Sequence, residues 1–203
     1  MCEQRPLATV LGSELELRLF NYRDTTPLRS GEVDDEPYGG GAGLVLRVDV
    51  AAAALDAVYG RVPRHRVVAL TPQGRQLTQE VVDELAQEER LTLLSSRSEG
   101  FDERIVTHLA SDAISIGPYV LSGGELPAMV VLDAVARRLP GAIRAESGAF
   151  ESFSGELEGG LEYPQYTRPA EFRGWRVPAV LLSGDHARID SWREEQSRER
   201  TPS

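Results

Sequence analysis

The chain has 203 residues, 41% hydrophobic and 27% charged, as in an ordinary globular protein, and its single cysteine, Cys2, excludes an intrachain disulfide and a thiolate metal cluster. No apolar run approaches the roughly 20 residues of a membrane span, and the N-terminus lacks the pattern of a secretory signal, so we expect a cytoplasmic protein that contacts no membrane. The net charge is −10 and all 22 basic residues are arginine, which argues against gripping nucleic acid over a broad surface but leaves a local patch open, because phosphate neutralisation needs clustered cations.

The N-terminal part of the chain predicts a strand, a glycine-rich loop and a helix. Alternating leucines predict a strand with one buried face over residues 14–22. A glycine run at residues 39–43 follows, and glycine permits backbone geometry that side chains forbid. Residues 48–60 predict a helix that stops at Gly60.

Short apolar strands then alternate with helices. In chain order the pattern predicts a strand running into a Pro/Gly turn (65–75), a helix capped by Thr78 (78–89), a strand (90–96), a turn feeding a helix (97–110), a strand followed by a glycine loop (113–125) and a helix (126–139). Continuous apolar strands of this kind are typical of a parallel sheet covered on both faces. We therefore predict an α/β fold whose chemistry gathers in the loops after the strands, at residues 71–75, 96–103 and 117–125.

A change of composition predicts the domain organisation. Residues 1–143 form the α/β domain, residues 144–160 are rich in Gly, Ser and Glu and predict a flexible linker, and residues 161–203 form a small C-terminal domain. Within the last of these, residues 187–200 carry both charge signs at helical spacing and predict a helix.

The glycine loops limit the kind of ligand. No dinucleotide-binding glycine motif and no phosphate-binding P-loop occur, and no lysine is present to reach a nucleotide phosphate. An adenosine-like ligand held by backbone amides and carbonyls remains, which favours S-adenosylmethionine over ATP. A glycine loop that binds no ligand is the alternative.

Six segments together resemble a known family. They are VDDEPYGGGAG (33–43), TPQGR (71–75), EGFDER (99–104), SIGPYVLSGGELPAM (115–129), EYPQYTRPAEFRGW (162–175) and VPAVLLSGDHARI (177–189). In this order they resemble the bacterial tRNA (guanine-N1)-methyltransferases of the SPOUT superfamily, from about Leu15 to about Thr201.

The resemblance implies a sheet whose C-terminal part is tied in a deep trefoil knot, a homodimer with shared active sites, tRNA as partner and S-adenosylmethionine as cofactor, with Mg²⁺ used during turnover. It implies that the glycine segment around residues 115–125 is threaded through the knot and wraps the cofactor. Position by position, it assigns cofactor contacts to Pro72, Gly74, Glu99, Gly100, Ile116, Gly117, Tyr119, Leu121, Gly123 and Gly124.

The resemblance also implies two catalytic groups. Methylation of guanine N1 needs a base for its proton and a cation near the neighbouring carbonyl oxygen. Arg137 matches the family's arginine, and Glu151 stands where the family has an aspartate, so the base here carries one more methylene. No metal ligands are assigned.

Other positions depart from the family. Ser96 replaces a glycine, Ser98 a tyrosine and Pro118 an aspartate. The family's first strand and helix, a basic loop and the end of the C-terminal domain have no counterpart in this sequence. Three functions therefore stay open: methylation of tRNA guanine next to the anticodon, methylation of a small molecule or another nucleic acid by a paralogue, and non-catalytic cofactor binding.

Overall fold

A computed structural model describes residues 7–60, 65–143 and 151–202. The chain divides into two compact units, Met1–Ala142 and Ile143–Ser203. The domain boundaries drawn from composition stay a prediction, and residues 144–150 of the proposed linker lie outside the described residues.

The first unit is an α/β structure, as predicted. Its elements in chain order are α1 (Leu7–Val10), a 3-10 turn (Tyr22–Asp24), β1 (Asp34–Asp35), β2 (Val45–Leu46), α2 (Val48–Tyr59), β3 (Arg66–Gln76), α3 (Gln79–Leu85), β4 (Leu91–Leu94), a π-helical turn (Ile105–Leu109), β5 (Asp112–Ser115) and α4 (Glu125–Ala136). The strands β4, β3 and β5 form a parallel sheet with β3 in the centre, and β1 and β2 form a separate antiparallel pair.

The parallel sheet is covered on both faces, because successive side chains of a strand point to opposite sides. Val67 of β3 packs in one core with α2 and the π-helical turn. Its neighbour Val68 packs in a second core with α3 and α4. Both valines are fully buried, which explains the continuous apolar run of this strand.

The predicted helices α2 and α3 and the cap at Thr78 are confirmed, but α3 ends at Leu85, four residues before the predicted end at residue 89. The helix α2 ends before Gly60, whose φ is +58°. Thr78 caps α3, since its hydroxyl accepts a hydrogen bond from the amide of Val81 at 3.4 Å.

The strand predicted over residues 14–22 is wrong. Among the described residues no strand covers this stretch, and Leu15 makes only an isolated bridge with Leu11. Leu19 is 87% exposed, and Leu17 and Phe20 are also exposed. Alternation alone does not make a strand, because the ladder needs a partner strand and the apolar face needs a layer to cover it.

The second unit contains 3-10 turns at Gly155–Leu157 and Ala179–Leu182, the short strands β6 (Glu171–Phe172) and β7 (Trp175–Arg176), and the helix α5 (His186–Arg200). The helix confirms the prediction for residues 187–200, and Asp185 caps it by accepting a hydrogen bond from the amide of Arg188 at 3.2 Å. Near its end, Ser197 donates to the carbonyl of Leu161 at 2.6 Å. The helix thereby holds the segment that follows the 3-10 turn at Gly155–Leu157.

Candidate functional site

The central strand β3 contains an excursion at its carboxyl end. Leu70 and Arg75 both pair with Ile114 of β5, so residues 71–74 are displaced from the ladder. A Cβ at Gly74 would stand about 2.5 Å from the carbonyl carbon of Ala113, a backbone atom that cannot yield. Glycine is therefore required where the excursion rejoins the sheet, and Pro72 lies exposed at its turn.

An ion network anchors this excursion. Arg75 donates to Asp112 at 2.7 Å and to Glu84 of α3 at 2.9 Å, and Arg66 donates to the same oxygen of Asp112 at 2.8 Å. Burial alone would raise the pKa of Asp112, but hydrogen bonds from Arg75 and Arg66 outweigh it and lower that pKa. Arg66 at the start of β3 and Arg75 near its end thus both hold the start of β5.

The loops after β4 and β5 are bound to each other. The amide of Gly124 donates to the carbonyl of Ser96 at 2.8 Å, and Arg97 forms an isolated antiparallel bridge with Gly123. Arg97 also donates to the carboxylate of Glu125 at 2.6 Å. The two loops therefore form one connected surface at the carboxyl edge of the sheet.

Gly124 is where these two loops come closest. It is buried, and a Cβ there would stand 2.8 Å from Cα of Ser95. The Cβ of a residue at 123 would meet only the end of the flexible Glu125 side chain and, at 3.3 Å, Cγ of Arg97. The two neighbouring glycines thus face very different obstacles.

The loop after β5 folds back on itself. The buried hydroxyl of Ser115 donates to the carbonyl of Gly117 at 3.0 Å, and the Tyr119 hydroxyl donates to the carbonyl of Ile116 at 3.2 Å. The Tyr119 ring occupies the space that a side chain at Gly117 would fill. Tyr119 and Val120 remain 52% and 83% exposed, so this loop presents apolar surface beside a buried backbone.

The segment after the β4 loop pairs with the glycine-rich loop that precedes α2. The amide of Glu99 donates to the carbonyl of Leu44 at 3.1 Å, and Gly100 accepts from the amide of Leu46 at 3.0 Å. The carboxylate of Glu99 lies beside Gly43, where an added Cβ would displace it, and Gly43 has a φ of +80° that favours glycine. Gly100 has a φ of +97°, a conformation that favours glycine.

The structure places the ten predicted cofactor residues in three loops at one edge of the β4-β3-β5 sheet. Arg137 stands at the end of α4, half-buried, in the first unit. Glu151 belongs to the second unit, where its carbonyl accepts from the amide of Ser154 at 3.1 Å. Neither residue is without an interaction partner.

Sequence reasoning missed three residues that hold these segments in place: Ser115, which fixes the turn at Gly117, Arg97, which pairs with Glu125, and Asp112 at the start of β5, which pairs with Arg75. Their signal in the sequence was weak, because each is a common polar residue whose partner lies 2 to 46 positions away.

In residues 7–60, 65–143 and 151–202, no three His, Cys, Asp or Glu side chains come together as metal ligands would. Over the same ranges no helix combines the length and apolar character needed to cross a membrane.

Comparison with known proteins identifies the family. The family model described as "tRNA (Guanine-1)-methyltransferase TrmD" matches residues 9–203. A tRNA (guanine-N(1)-)-methyltransferase of Brevibacillus brevis is 52% identical over 200 residues, which are 96% of this chain and 81% of the relative. Relatives of the same name from Dehalococcoides mccartyi and Geobacillus kaustophilus are 50% and 48% identical; each match covers 92% of this chain, and 75% and 76% of the respective relative. The matches confirm the resemblance drawn from the six motifs, and the chain belongs to the tRNA (guanine-1)-methyltransferase family.

Proposed function

We propose that this protein transfers a methyl group from S-adenosylmethionine to N1 of a tRNA guanine next to the anticodon. The observation that carries this proposal is the family match over residues 9–203, with relatives of this activity about half identical to the chain. S-adenosylmethionine would supply the methyl group, whose bond to the sulfonium sulfur would break as the bond to N1 forms, with the electron pair kept by the sulfur.

The cofactor site is proposed at the carboxyl edge of the sheet, in contact with the residues assigned above: Pro72, Gly74, Glu99, Gly100, Ile116, Gly117, Tyr119, Leu121, Gly123 and Gly124. The local chemistry fits a nucleoside without phosphates. Tyr119 and Val120 offer exposed apolar surface, and the glycines bring backbone close to it.

Two side chains would carry the chemistry. The Glu151 carboxylate takes the proton from guanine N1, so that the nitrogen lone pair becomes available for the new bond to carbon. Arg137 faces the guanine carbonyl oxygen and stabilises the negative charge that develops there as the proton leaves. The proton ends on Glu151 and returns to water.

The remaining features of the proposal concern architecture. We infer a trefoil knot through the segment around residues 115–125, a homodimer with shared active sites, Mg²⁺ during turnover and a cytoplasmic location. The close contact between Gly124 and Ser95 supports the proposal that two chain segments pass very near each other at this point. True knots are rare in proteins. A crystal structure of the protein would show directly whether the chain is threaded at this point.

Methyl transfer to defined RNA tests the function. The protein would be incubated with radiolabelled S-adenosylmethionine and a tRNA transcript that has guanine after the anticodon, beside the same transcript with adenine there. Label in the first transcript only, recovered as 1-methylguanosine, supports the proposal. If only small metabolites become labelled, the proposal is contradicted. That result would favour a paralogue that methylates a small molecule, the alternative suggested by Ser96, Ser98 and Pro118.

A further inference from the structure

Residues 14–20, called here the leucine segment, lie on the surface with most of their backbone unpaired. Residues 16–20 form no helix or turn. Within the described residues, no hydrogen bond joins their amides or carbonyls to other backbone. A row of unpaired amides and carbonyls is a template for pairing with another strand. The segment contains no proline, which would block such pairing.

The two sides of the leucine segment differ in polarity. Arg18 donates to the carboxylate of Glu16 at 2.8 Å, so these side chains lie on the same side. Residues two positions apart share a side in an extended strand. The leucines at positions 15, 17 and 19 alternate with the charged residues, so in that conformation they share the opposite side.

The leucine side is covered at its first residue and bare at its last. Leu15 is partly buried and packs against the core that α1 shares with the end of α4. Leu17 is 38% exposed and Leu19 is 87% exposed. The apolar side therefore continues outward from a core of the first unit, and nothing in the described residues covers its end.

The leucine segment is complementary to a second copy of itself. In an antiparallel pair with a two-fold axis at Leu17, Glu16 stands opposite Arg18 of the second copy, and Arg18 stands opposite its Glu16. Opposite charges that face each other across two strands are stabilising. Leu19 stands opposite Leu15 of the second copy, which is the place where that copy's segment meets its own core. A closed two-fold contact uses the same patch on both subunits, and this patch matches itself.

We propose that residues 15–19 pair with residues 15–19 of a second copy of the chain, as two antiparallel strands centred on Leu17. The pairing supplies what this segment lacks within one chain, namely a partner for its backbone and a cover for its leucines. Copies with a net charge of −10 repel each other at long range, so the local match of Glu16 with Arg18 specifies the contact. None of these residues is among those proposed to bind S-adenosylmethionine or to catalyse, so the inference does not rest on the proposed function.

Disulfide formation tests the register. In a Cys2→Ser background, Leu17→Cys should form a disulfide between two copies under mild oxidation. The reason is that opposite residues of an antiparallel pair have Cα atoms about 4.5–5.5 Å apart, within the range that a disulfide spans. Leu15→Cys and Leu19→Cys should each form little crosslink alone and should crosslink with each other when mixed. Leu182→Cys, at a leucine of the second unit that is 61% exposed, is the matched control and should not crosslink.

Charge reversal tests the complementarity, with sedimentation velocity as the readout. Glu16→Arg and Arg18→Glu should each weaken association at least about threefold, because each places like charges opposite each other at two points of the contact. The double variant restores both matches and should return association to within about twofold of the wild type. Glu16→Arg makes the chain less acidic, so weaker association in this variant does not come from general repulsion. Glu194→Arg makes the same change at a side chain of α5 that is 73% exposed, and should not weaken association.

The outcomes separate this contact from its alternatives. Absence of the Leu17→Cys crosslink in protein that keeps its thermal unfolding transition overturns the strand pairing. Strong crosslinking of Leu15→Cys alone and of Leu19→Cys alone also overturns it, because that pattern belongs to a parallel pair. Association of both single charge variants at the wild-type level contradicts it as well. In Leu19→Cys protein that keeps Cys2, a disulfide within one chain would assign the cover of the leucines to the chain's own N-terminus.

Methyl transfer to tRNA is measured on the same preparations. Crosslinking without methyl transfer overturns only the proposed function. Methyl transfer without crosslinking overturns only the strand pairing.

Discussion

Glycines 123 and 124 are neighbours in sequence, but they carry different constraints. A methyl group at Gly124 would meet backbone of Ser95 at 2.8 Å, whereas one at Gly123 would meet mainly the movable end of Glu125. The backbone angles of Gly124, φ −79° and ψ −3°, are open to alanine, so the collision alone decides its cost. A substitution at Gly124 therefore tests how close the loop after β5 must come to the loop after β4.

We expect Gly124→Ala to lower the free energy of unfolding by about 1–3 kcal/mol, the usual cost of overpacking. Because the displaced loop is part of the proposed cofactor site, affinity for S-adenosylmethionine should fall roughly tenfold, equivalent to about 1.4 kcal/mol. Calorimetry and urea unfolding measure the two effects, with Gly155→Ala as the matched control, because Gly155 lies outside the proposed site and an added Cβ there meets nothing within 4 Å. Loss of stability with unchanged affinity would move the cofactor site away from this loop.

The proposed catalytic pair is tested by rate rather than by binding. Glu151→Gln and Arg137→Ala should each lower kcat by about 10²- to 10⁴-fold, the range of a general base or a charge-stabilising group. Neither should change the affinity for S-adenosylmethionine. Glu151→Asp keeps the carboxylate and should retain far more activity than Glu151→Gln. Equal rates in Glu151→Gln and the wild type would rule out Glu151 as the base.

At the scale of elements, the Asp112 network joins β5, β3 and α3. Asp112 is 12% exposed at its side chain and accepts hydrogen bonds from Arg66 and Arg75. Its pKa is lowered in the folded state, so its stabilising contribution is present above the unfolded pKa of about 3.9 and is lost as the pH falls through the lower folded value.

We expect Asp112→Asn to lower the free energy of unfolding by about 2 kcal/mol at neutral pH, as for lost hydrogen bonds to a charged group. The difference between variant and wild type should shrink as the pH falls below about 4. Urea unfolding at a series of pH values from neutral to acidic measures this. Glu84→Gln, at a carboxylate that is 43% exposed, should cost less. A difference that stays constant across the pH range would contradict the assigned ionisation.

The elements differed in how far the sequence could predict them. The end of α2 at Gly60 and the start of α3 at Thr78 carry local signals and agree with the structure, whereas α3, which carries no glycine stop signal, ends at Leu85 and not at residue 89 as predicted. The stretch 14–22 has the periodicity of a strand but pairs with no strand in the described residues. Strand pairing depends on residues far away in the sequence, which the local pattern does not contain. The excursion at 71–74 was predicted as a simple turn, because only the double pairing to Ile114 reveals that β3 resumes after it.

The candidate site shows the same division. The alternation of strands and helices predicted all three loops, because ligand sites of parallel sheets lie after the strands, and the motif resemblance then assigned cofactor contacts within them. Neither could find the contacts that join them, such as Gly124 to Ser96 or Arg97 to Glu125, because these depend on which strand ends lie side by side. The sequence therefore predicted where the edge of the sheet would be and not how it is held together.

At the scale of the whole molecule, the two proposed catalytic residues belong to different compact units, Arg137 to the first and Glu151 to the second. A homodimer with shared active sites could combine Arg137 of one subunit with Glu151 of its partner. Closed two-fold assemblies place the same pair of residues at two equivalent sites, so each subunit would contribute to both.

Mixed dimers test this arrangement without any further structure. In a dimer of one Arg137→Ala subunit and one Glu151→Gln subunit, shared sites leave one site with both defects and the other with neither. After equal mixing and exchange of subunits, activity should recover to about a quarter of the wild-type value, because half of the dimers are mixed and each has one intact site. Each variant alone provides the baseline, and labelled subunits measure the exchange. If each site is built within one subunit, every site carries one defect and full exchange restores no activity.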